Sequence, residues 1–375
     1  MNKKTFFLAL FALLLMGASA FARLGPRQRE HYRPYLVRAG LLASLALVSG
    51  AALFITVRLK RARARAERQR RIDEAVAQGE TWLLLRPKEA RPVEIEQIRL
   101  WQRLAYTQPA EEHFSFEIFG NSQGQGLALR ASSNKARAVL GEFFQEWPDL
   151  QRRPAGEADP ARVPPDWPTY WLEVGPQSSD RPVVPASREP LLGVLAEIAG
   201  LTAPARALVQ VIARPDGAAR SRLGRMSLSM RGSDSPSAAV RYHNTRQAKL
   251  LEARGERAFL QAVIRVAASA PTPAEAHRAA AGLAQVVCNQ FGPDNPVVVL
   301  RRSGPRKTVD LAARPISGGA RCSWADDEIA ALAHLPGGEA LQYAPLLSTG
   351  SAKSLPAKPE LRIPQEARLA RYEIE

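Results

Sequence analysis

Side chains that could perform catalysis or hold a metal ion are few and widely scattered in this sequence. The two cysteines, Cys288 and Cys322, form no C-x-x-C pair, so neither a disulfide framework nor a zinc site is predicted. None of the five histidines has a partner at the H-E-x-x-H spacing of a zinc enzyme. The sequence therefore predicts no bound metal and no catalytic cysteine.

Two short motifs resemble functional sites. The acidic run Asp326-Asp327-Glu328 could bind a metal or supply a general acid, but negative charge is also favoured at the N-terminus of the helix predicted there. The segment Gly350-Ser351-Ala352-Lys353-Ser354 resembles a phosphate loop, yet Ala352 stands at the second glycine position and Pro356 prevents a following helix. We interpret the acidic run as structural and predict no nucleotide site. The chain is accordingly expected not to be an enzyme, with no catalytic, cofactor-binding or metal-binding residues and no evident small-molecule substrate.

The net charge of +16 is concentrated at one end of the chain. Residues 1–71 carry 15 Lys/Arg and two Asp/Glu, whereas the other 304 residues carry 37 Lys/Arg and 34 Asp/Glu. Nucleic-acid binding normally requires clustered cations, so the nearly neutral remainder gives no strong nucleic-acid signal. One polar segment, residues 214–255, has arginines interleaved with Gly, Ser and Pro instead of aromatics, and we predict that it is a flexible, solvated loop. Its arginines include Arg220, Arg222, Arg225 and Arg231.

The cationic end contains two apolar runs. Residues 1–22 have the basic flank, short apolar core and small-residue site of a signal peptide, or form a first membrane segment. Residues 39–57 carry no charge and are long enough to span a hydrocarbon core of roughly 30 Å, which predicts a transmembrane helix. Residues 58–80 are predicted to be a basic juxtamembrane linker, and such cations stay on the cytoplasmic side. The expected location is the inner (cytoplasmic) membrane, with residues 58–375 in the cytoplasm.

Short apolar runs alternate with helical patterns beyond this linker. Alternating residues at Phe114–Ile118 and Leu127–Ala131 flank a Gly/Asn/Ser turn and predict a β-hairpin. Further strands are predicted at Leu208–Ala213 and Leu260–Val266. We expect these two to pair despite the insertion between them, because closure entropy grows only logarithmically with loop length.

The order of elements repeats, which predicts an α+β fold with two ferredoxin-like βαββαβ modules. The first module is predicted to comprise residues 81–175 and to end with a strand at Tyr170–Val174. The second is predicted to comprise residues 176–315 and to carry the insertion at 214–255.

The second module and the tail contain helix and linker signals. Thr272-Pro273-Ala274-Glu275 is a capping box with proline at the first helical position. Residues 316–335 are predicted to hold a terminal helix from Trp324 to Ala333, capped by Ser323. Residues 336–375, rich in Pro, Ser, Ala and Lys, are predicted to be an extended linker or tail.

A set of features along the chain resembles one known family. They are the apolar helix followed by Arg58–Arg71, the strand Leu208–Pro215, the strand Phe259–Ala268 with the later Asn289-Gln290-Phe291, His334-Leu335-Pro336 and Ser354-Leu355-Pro356. Over residues 39 to about 365, this arrangement resembles the N-terminal, pre-motor region of membrane-anchored ATPases of conjugative transfer and type IV secretion. In that family a nucleotide-binding motor would begin beyond the final linker, and this chain stops at Glu375, so the resemblance implies no ATP hydrolysis here.

The expected function is non-enzymatic anchoring and assembly in a conjugation-type DNA or protein transfer apparatus. The implied partners are the membrane and other proteins, either a secretion ATPase on a separate chain or further copies of this chain. The alternative is a general membrane-tethered scaffold or adaptor unrelated to secretion. A sheet-based nucleic-acid binder is disfavoured, because no exposed aromatic pattern accompanies the nearly neutral body.

Overall fold

A computed structural model describes residues 25–84, 94–107, 112–132, 134, 137–138, 141, 152–164, 166–186, 190–232, 237–303, 308–316 and 321–336. For residues 26–37, 39–44, 46–47, 51 and 94–97 it describes the backbone alone. The chain divides into two compact units, residues 1–67 and 68–375. The predicted signal peptide or first membrane segment at 1–22 and the tail beyond residue 336 lie outside the described residues.

The first helix, α1, extends from Pro26 to Ala77. It contains the predicted membrane helix at 39–57, where about half of the side chains lie outside the described residues. Among the helices whose residues are described, none is both long and apolar enough to cross a membrane. The chain stays helical through most of the predicted juxtamembrane linker at 58–80, as far as Ala77. Arg, Ala, Gln and Glu dominate this stretch, and all of them favour helix.

Nine strands of the described residues form one antiparallel sheet. Their alternating or continuous apolar runs bury one or both faces, as expected for strands in a sheet covered by helices. The strands are β1 Glu80–Leu84, β2 Phe114–Asn121, β3 Gly124–Ala131, β4 Arg152–Pro154, β5 Thr169–Pro176, β6 Arg206–Pro215, β7 Phe259–Ser269, β8 Val297–Ser303 and β9 Cys322–Ala325.

The sheet has two halves that meet edge to edge. Its order is β4-β1-β3-β2-β6-β7-β5-β8, and β9 lies beside the first residues of β7. The predicted hairpin is confirmed as β2–β3, and the predicted pairing across the insertion is confirmed as β6–β7. The strand at Tyr170–Val174, expected to close the first module, instead lies in β5 and pairs with β7 and β8. An apolar run does not specify its partner, so sequence order alone assigned it to the wrong half.

Seven helices follow α1 in the described ranges, and three of them cover one face of the sheet. Trp101 of α2, Leu195 of α3 and Leu283 of α6 pack in one cluster with Phe116 and Ile264 of the strands. The N-cap half of the predicted capping box of α6 is confirmed, because the Thr272 hydroxyl accepts the Glu275 backbone N–H. The Glu275 carboxylate accepts the Thr272 hydroxyl at 2.8 Å, and not the Thr272 backbone N–H that a full capping box requires. The helices are α2 Glu94–Thr107, α3 Leu191–Ala199, α4 Ala219–Arg231, α5 Ala238–Gly255, α6 Pro273–Asn289, α7 Thr308–Ala313 and α8 Asp326–Ala330.

Two predictions of local structure are wrong. The insertion at 214–255 is not a loop but a helical hairpin, α4–α5, because Leu223 and Leu251 find apolar partners in Phe259 and Ala325. The predicted terminal helix is shorter. Trp324 lies on β9, where it pairs with Leu260, and α8 begins only at Asp326.

Candidate interaction surface

A row of polar side chains crosses the sheet on the face opposite the apolar cluster. Directly paired positions place Glu117, Gln210, Arg265, Glu173 and Arg301 on five neighbouring strands. The Gln210 amide donates to Glu117 Oε1 at 3.0 Å, and Arg265 Nη2 lies 2.8 Å from Glu173 Oε1. The first four residues of the row are buried. They stabilise one another and offer no accessible group for chemistry.

Arg314 connects this row to the first half of the chain. Its guanidinium pairs with Glu117 and lies 2.8 Å from Asp159 Oδ1, and the Asp159 Oδ2 atom accepts the Thr81 hydroxyl at 2.6 Å. Burial disfavours the charged form, but the two carboxylates outweigh it and hold the pKa of Arg314 above its usual value. Sequence reasoning missed this network, because a Glu or Ser between apolar strand residues indicates a solvated face.

The acidic run Asp326-Asp327-Glu328 joins the start of α8 to the helical hairpin. Glu328 is buried, accepts the backbone N–H of Val183 at 2.9 Å and lies 2.8 Å from Arg254 Nη2. Asp327 Oδ2 lies 3.2 Å from Arg257 Nη2. Burial raises the pKa of both Asp326 and Glu328. These contacts support the structural interpretation of the run.

The other residues that suggested chemistry are not brought together. Burial raises the pKa of Cys288 and of Cys322 to about 11, so neither thiol is a ready nucleophile near neutral pH. Over the part of the chain that the structure describes, no group of three or more His, Cys, Asp or Glu residues is placed to hold a metal ion. The segment Gly350–Ser354 lies outside that part.

The helical hairpin is held firmly against the sheet and within itself. Arg254 of α5 is buried, and besides Glu328 it donates to the Ser179 carbonyl at 2.7 Å. Arg220 of α4 donates to the Gly255 carbonyl at 2.9 Å, and the Ser227 hydroxyl donates to Glu252 at 2.6 Å. The hairpin therefore presents an ordered surface.

Each helix of the hairpin turns one face to solvent, which we call the outer faces. On α4 the outer face holds Arg225 and Leu228, three residues apart, and on α5 it holds Tyr242, Arg246 and Lys249 at spacings of four and three. Leu228 is 70% exposed and Tyr242 is 72% exposed. Arg225, Arg246 and Lys249 make no ion pair or hydrogen bond with any residue that the structure describes. Large apolar groups beside unpaired cations are typical of a contact surface.

We call the chain from residue 72 onward the body, and its positive charge excess lies in this hairpin. Residues 214–255 carry nine Lys/Arg and three Asp/Glu, a net charge of +6. The rest of the chain from residue 72 onward carries 28 Lys/Arg and 31 Asp/Glu, a net charge of −3. From residue 72 onward, the hairpin is therefore a basic element in an otherwise slightly acidic part of the chain.

A second candidate surface lies on α1. Large apolar side chains of this helix are exposed where a soluble helix would bury them. Arg58 follows them with its guanidinium over the Phe54 ring at 4.7 Å, and the basic stretch continues to Arg71. The exposed apolar residues are Leu45, Val48, Leu53, Phe54, Ile55 and Leu59.

No protein-family model matches this chain, and no curated protein matches its sequence. The features that bear on function are therefore the outer faces of α4–α5 and the exposed apolar side chains of α1.

Proposed function

We propose that this chain is a non-enzymatic, membrane-anchored module that assembles a conjugation-type or type IV secretion-like transfer apparatus. The helix α1 anchors it in the inner membrane, and the cytoplasmic body holds a partner protein there. The observation that carries the proposal is the set of exposed large apolar side chains on α1, followed directly by a basic stretch.

The membrane assignment is supported by the chemistry of α1. An unpaired apolar helix surface in water is unfavourable by about 25 cal/mol per Å², and a lipid environment removes that cost. Eight cations between Arg58 and Arg71 fit the cytoplasmic side of a membrane, where they also attract anionic headgroups.

The non-enzymatic assignment is supported by where the charged groups lie. Glu117, Glu173, Asp159 and Glu328 are buried and engaged with arginines of the same chain. Such pairs fix the fold and do not contact a substrate.

The two halves of the sheet support the proposed pair of ferredoxin-like modules. When the four strands of each half are numbered along the chain, their order across the sheet is 4-1-3-2 in the first half. In the second half it is 2-3-1-4, which is the same order reversed. A helix connects the first and second strands of each half. This is the connectivity of a split βαβ unit, used here as an assembly platform without a motor.

The membrane part is tested by extraction of the full chain from cells with alkaline carbonate. We expect the parent to stay in the membrane pellet and a Val48→Lys/Leu53→Lys variant to be released, because two charges then fall within the apolar stretch. Leu228→Lys, which places a charge on the hairpin instead, is the matched control and should stay in the pellet.

The side of the membrane is tested separately with an export-dependent reporter fused after Arg71, which should be inactive. Release of the parent or an active reporter would refute the anchoring.

The transfer part is tested by deleting the gene in its host. Loss of conjugative transfer or secretion, restored by the full chain, is the expected result. Unchanged transfer together with retained membrane association would favour the general scaffold or adaptor.

A further inference from the structure

The outer faces of the hairpin carry both exposed cations and exposed large apolar groups on the same two helices. Arg225, Arg246 and Lys249 lack internal partners in the described chain, and Leu228 and Tyr242 project beside them. Arginine and tyrosine are among the side chains that carry most of the binding energy in protein interfaces. Cations left unpaired on a folded element attract a partner of opposite charge.

The hairpin is also pre-organised for binding. Arg254 is fixed between Glu328 and the Ser179 carbonyl, and Glu252 bridges Ser227 and Arg231 across the two helices. A partner that binds these outer faces therefore does not have to order them, which lowers the entropic cost of association.

The chemistry of the outer faces favours a protein as the occupant. Nucleic-acid interfaces are strongly cationic and polar, and Leu228 would gain little from a phosphate backbone. A second copy of this chain is a weak match, because the rest of its body has a net charge of only −3 and its acidic groups Glu173 and Glu328 are buried in pairs. Charge complementarity thus points to a separate protein with an acidic surface.

We propose that the outer faces of α4–α5 dock an acidic surface of a partner protein, with Leu228 and Tyr242 at the centre and Arg225, Arg246 and Lys249 around them. This inference rests on the proposed assembly function and specifies the partner by its charge.

The test is photo-cross-linking of the full chain in the cells that produce it, with p-benzoylphenylalanine in place of Leu228 or Tyr242. The expected product is a protein adduct whose cross-linked peptide is rich in Asp and Glu. An Arg246→Glu/Lys249→Glu variant should lower its yield by roughly tenfold or more, because like charges then face each other. Arg278→Glu, an exposed cation on α6, is the matched control and should leave the yield unchanged.

A charge exchange completes the experiment. Replacing the cross-linked partner's acidic residues by Lys should restore the adduct with the Arg246→Glu/Lys249→Glu variant. The proposal is overturned by a nuclease-sensitive adduct, a lipid adduct, an adduct with a second copy of this chain, an adduct indifferent to charge reversal, or no adduct. Carbonate extraction of the same cells reports the anchoring separately, so a failure of docking and a failure of the proposed function are distinguishable.

Discussion

Arg314 has a backbone conformation that arginine rarely adopts. Its φ is 50°, in the left-handed region where a side chain costs of order 1 kcal/mol. The cost is offset by the ion pairs with Glu117 and Asp159, two buried carboxylates, of which Asp159 also lies 3.8 Å from Arg130 Nη1. Removing one partner of a buried ion pair destabilises a protein far more than replacing both partners by apolar residues. Arg314 therefore supplies a counter-ion for both buried carboxylates.

The same cluster of charges also affects the pKa of His113. Burial, together with the charges of Arg130, Arg314 and Arg214, lowers its pKa from 6.5 to about 4. Between those values the unfolded chain binds a proton that the folded chain does not, so this residue makes the folded state less stable as the pH falls from about 6.5 to about 4.

We expect His113→Gln to flatten this pH dependence. In urea titrations of the detergent-solubilised full chain, the parent should lose about 1–3 kcal/mol more of its unfolding free energy than the variant between pH 7 and pH 4. His243→Gln, on the exposed side of α5, serves as the control and should follow the parent. If the unfolding free energy changes with pH equally in the parent and in His113→Gln, the prediction is contradicted.

At the scale of elements, a buried ion pair and a small apolar cluster hold the hairpin α4–α5 against the sheet. Its apolar cluster with the sheet is small, comprising Ala219, Leu223, Leu251, Phe259 and Ala325. Arg254 and Glu328 lie beside this cluster, both almost fully buried.

We expect Arg254→Met to destabilise the chain by about 3–5 kcal/mol, because Glu328 is left charged without a cation. Limited trypsin digestion should then cut within α4–α5 sooner than in the parent. A second change, Glu328→Gln, should recover part of the loss, since it removes the unpaired charge while its amide oxygen still accepts one of the two N–H groups, Val183 or Ala325, that the two carboxylate oxygens accept. Arg246→Met, on the outer face, should leave stability within about 0.5 kcal/mol of the parent. No rescue by Glu328→Gln would show that the charge is not the cause.

The elements that sequence predicted correctly are those with local signals. The turn between β2 and β3 and the Thr272 N-cap of α6 each lie within one short window. The hairpin α4–α5 was mistaken for a loop because α5 buries only Ala248, Leu251 and Arg254, too few apolar residues for a helical pattern. Trp324 was assigned to a helix because its place on β9 depends on β7, about 60 residues earlier in sequence. The interaction surface was missed for the same reason, since its arginines could not be separated into paired and unpaired ones without the fold.

At the scale of the whole body, the two halves share one sheet and one core. The strands β2 and β6 pair from Phe114↔Ala213 to Gly120↔Ala207, and the polar row continues across this boundary through Glu117 and Gln210. Either half alone would therefore expose a long, apolar strand edge, which promotes aggregation.

We expect residues 72–165 and 166–336, produced separately, to be insoluble or unfolded. Produced together in one cell, they should form a complex that co-purifies, with the strand content of the intact body by circular dichroism. A Phe116→Asp change should abolish the complex, whereas Arg302→Asp on the outer strand β8 should not. Two soluble, folded halves would instead show that the modules are independent domains.

The reversed strand order of the second half means that the β2–β6 junction relates the halves as a two-fold axis relates the subunits of an isologous dimer. A true homodimer would display every feature twice, but here the counterpart of the α4–α5 hairpin in the first half is the turn Ser122-Gln123. In the proposed pair of modules, each copy is free to diverge because it mutates separately. The consequence is stoichiometric: each chain carries one copy of the proposed docking surface, so the partner is expected in a one-to-one ratio.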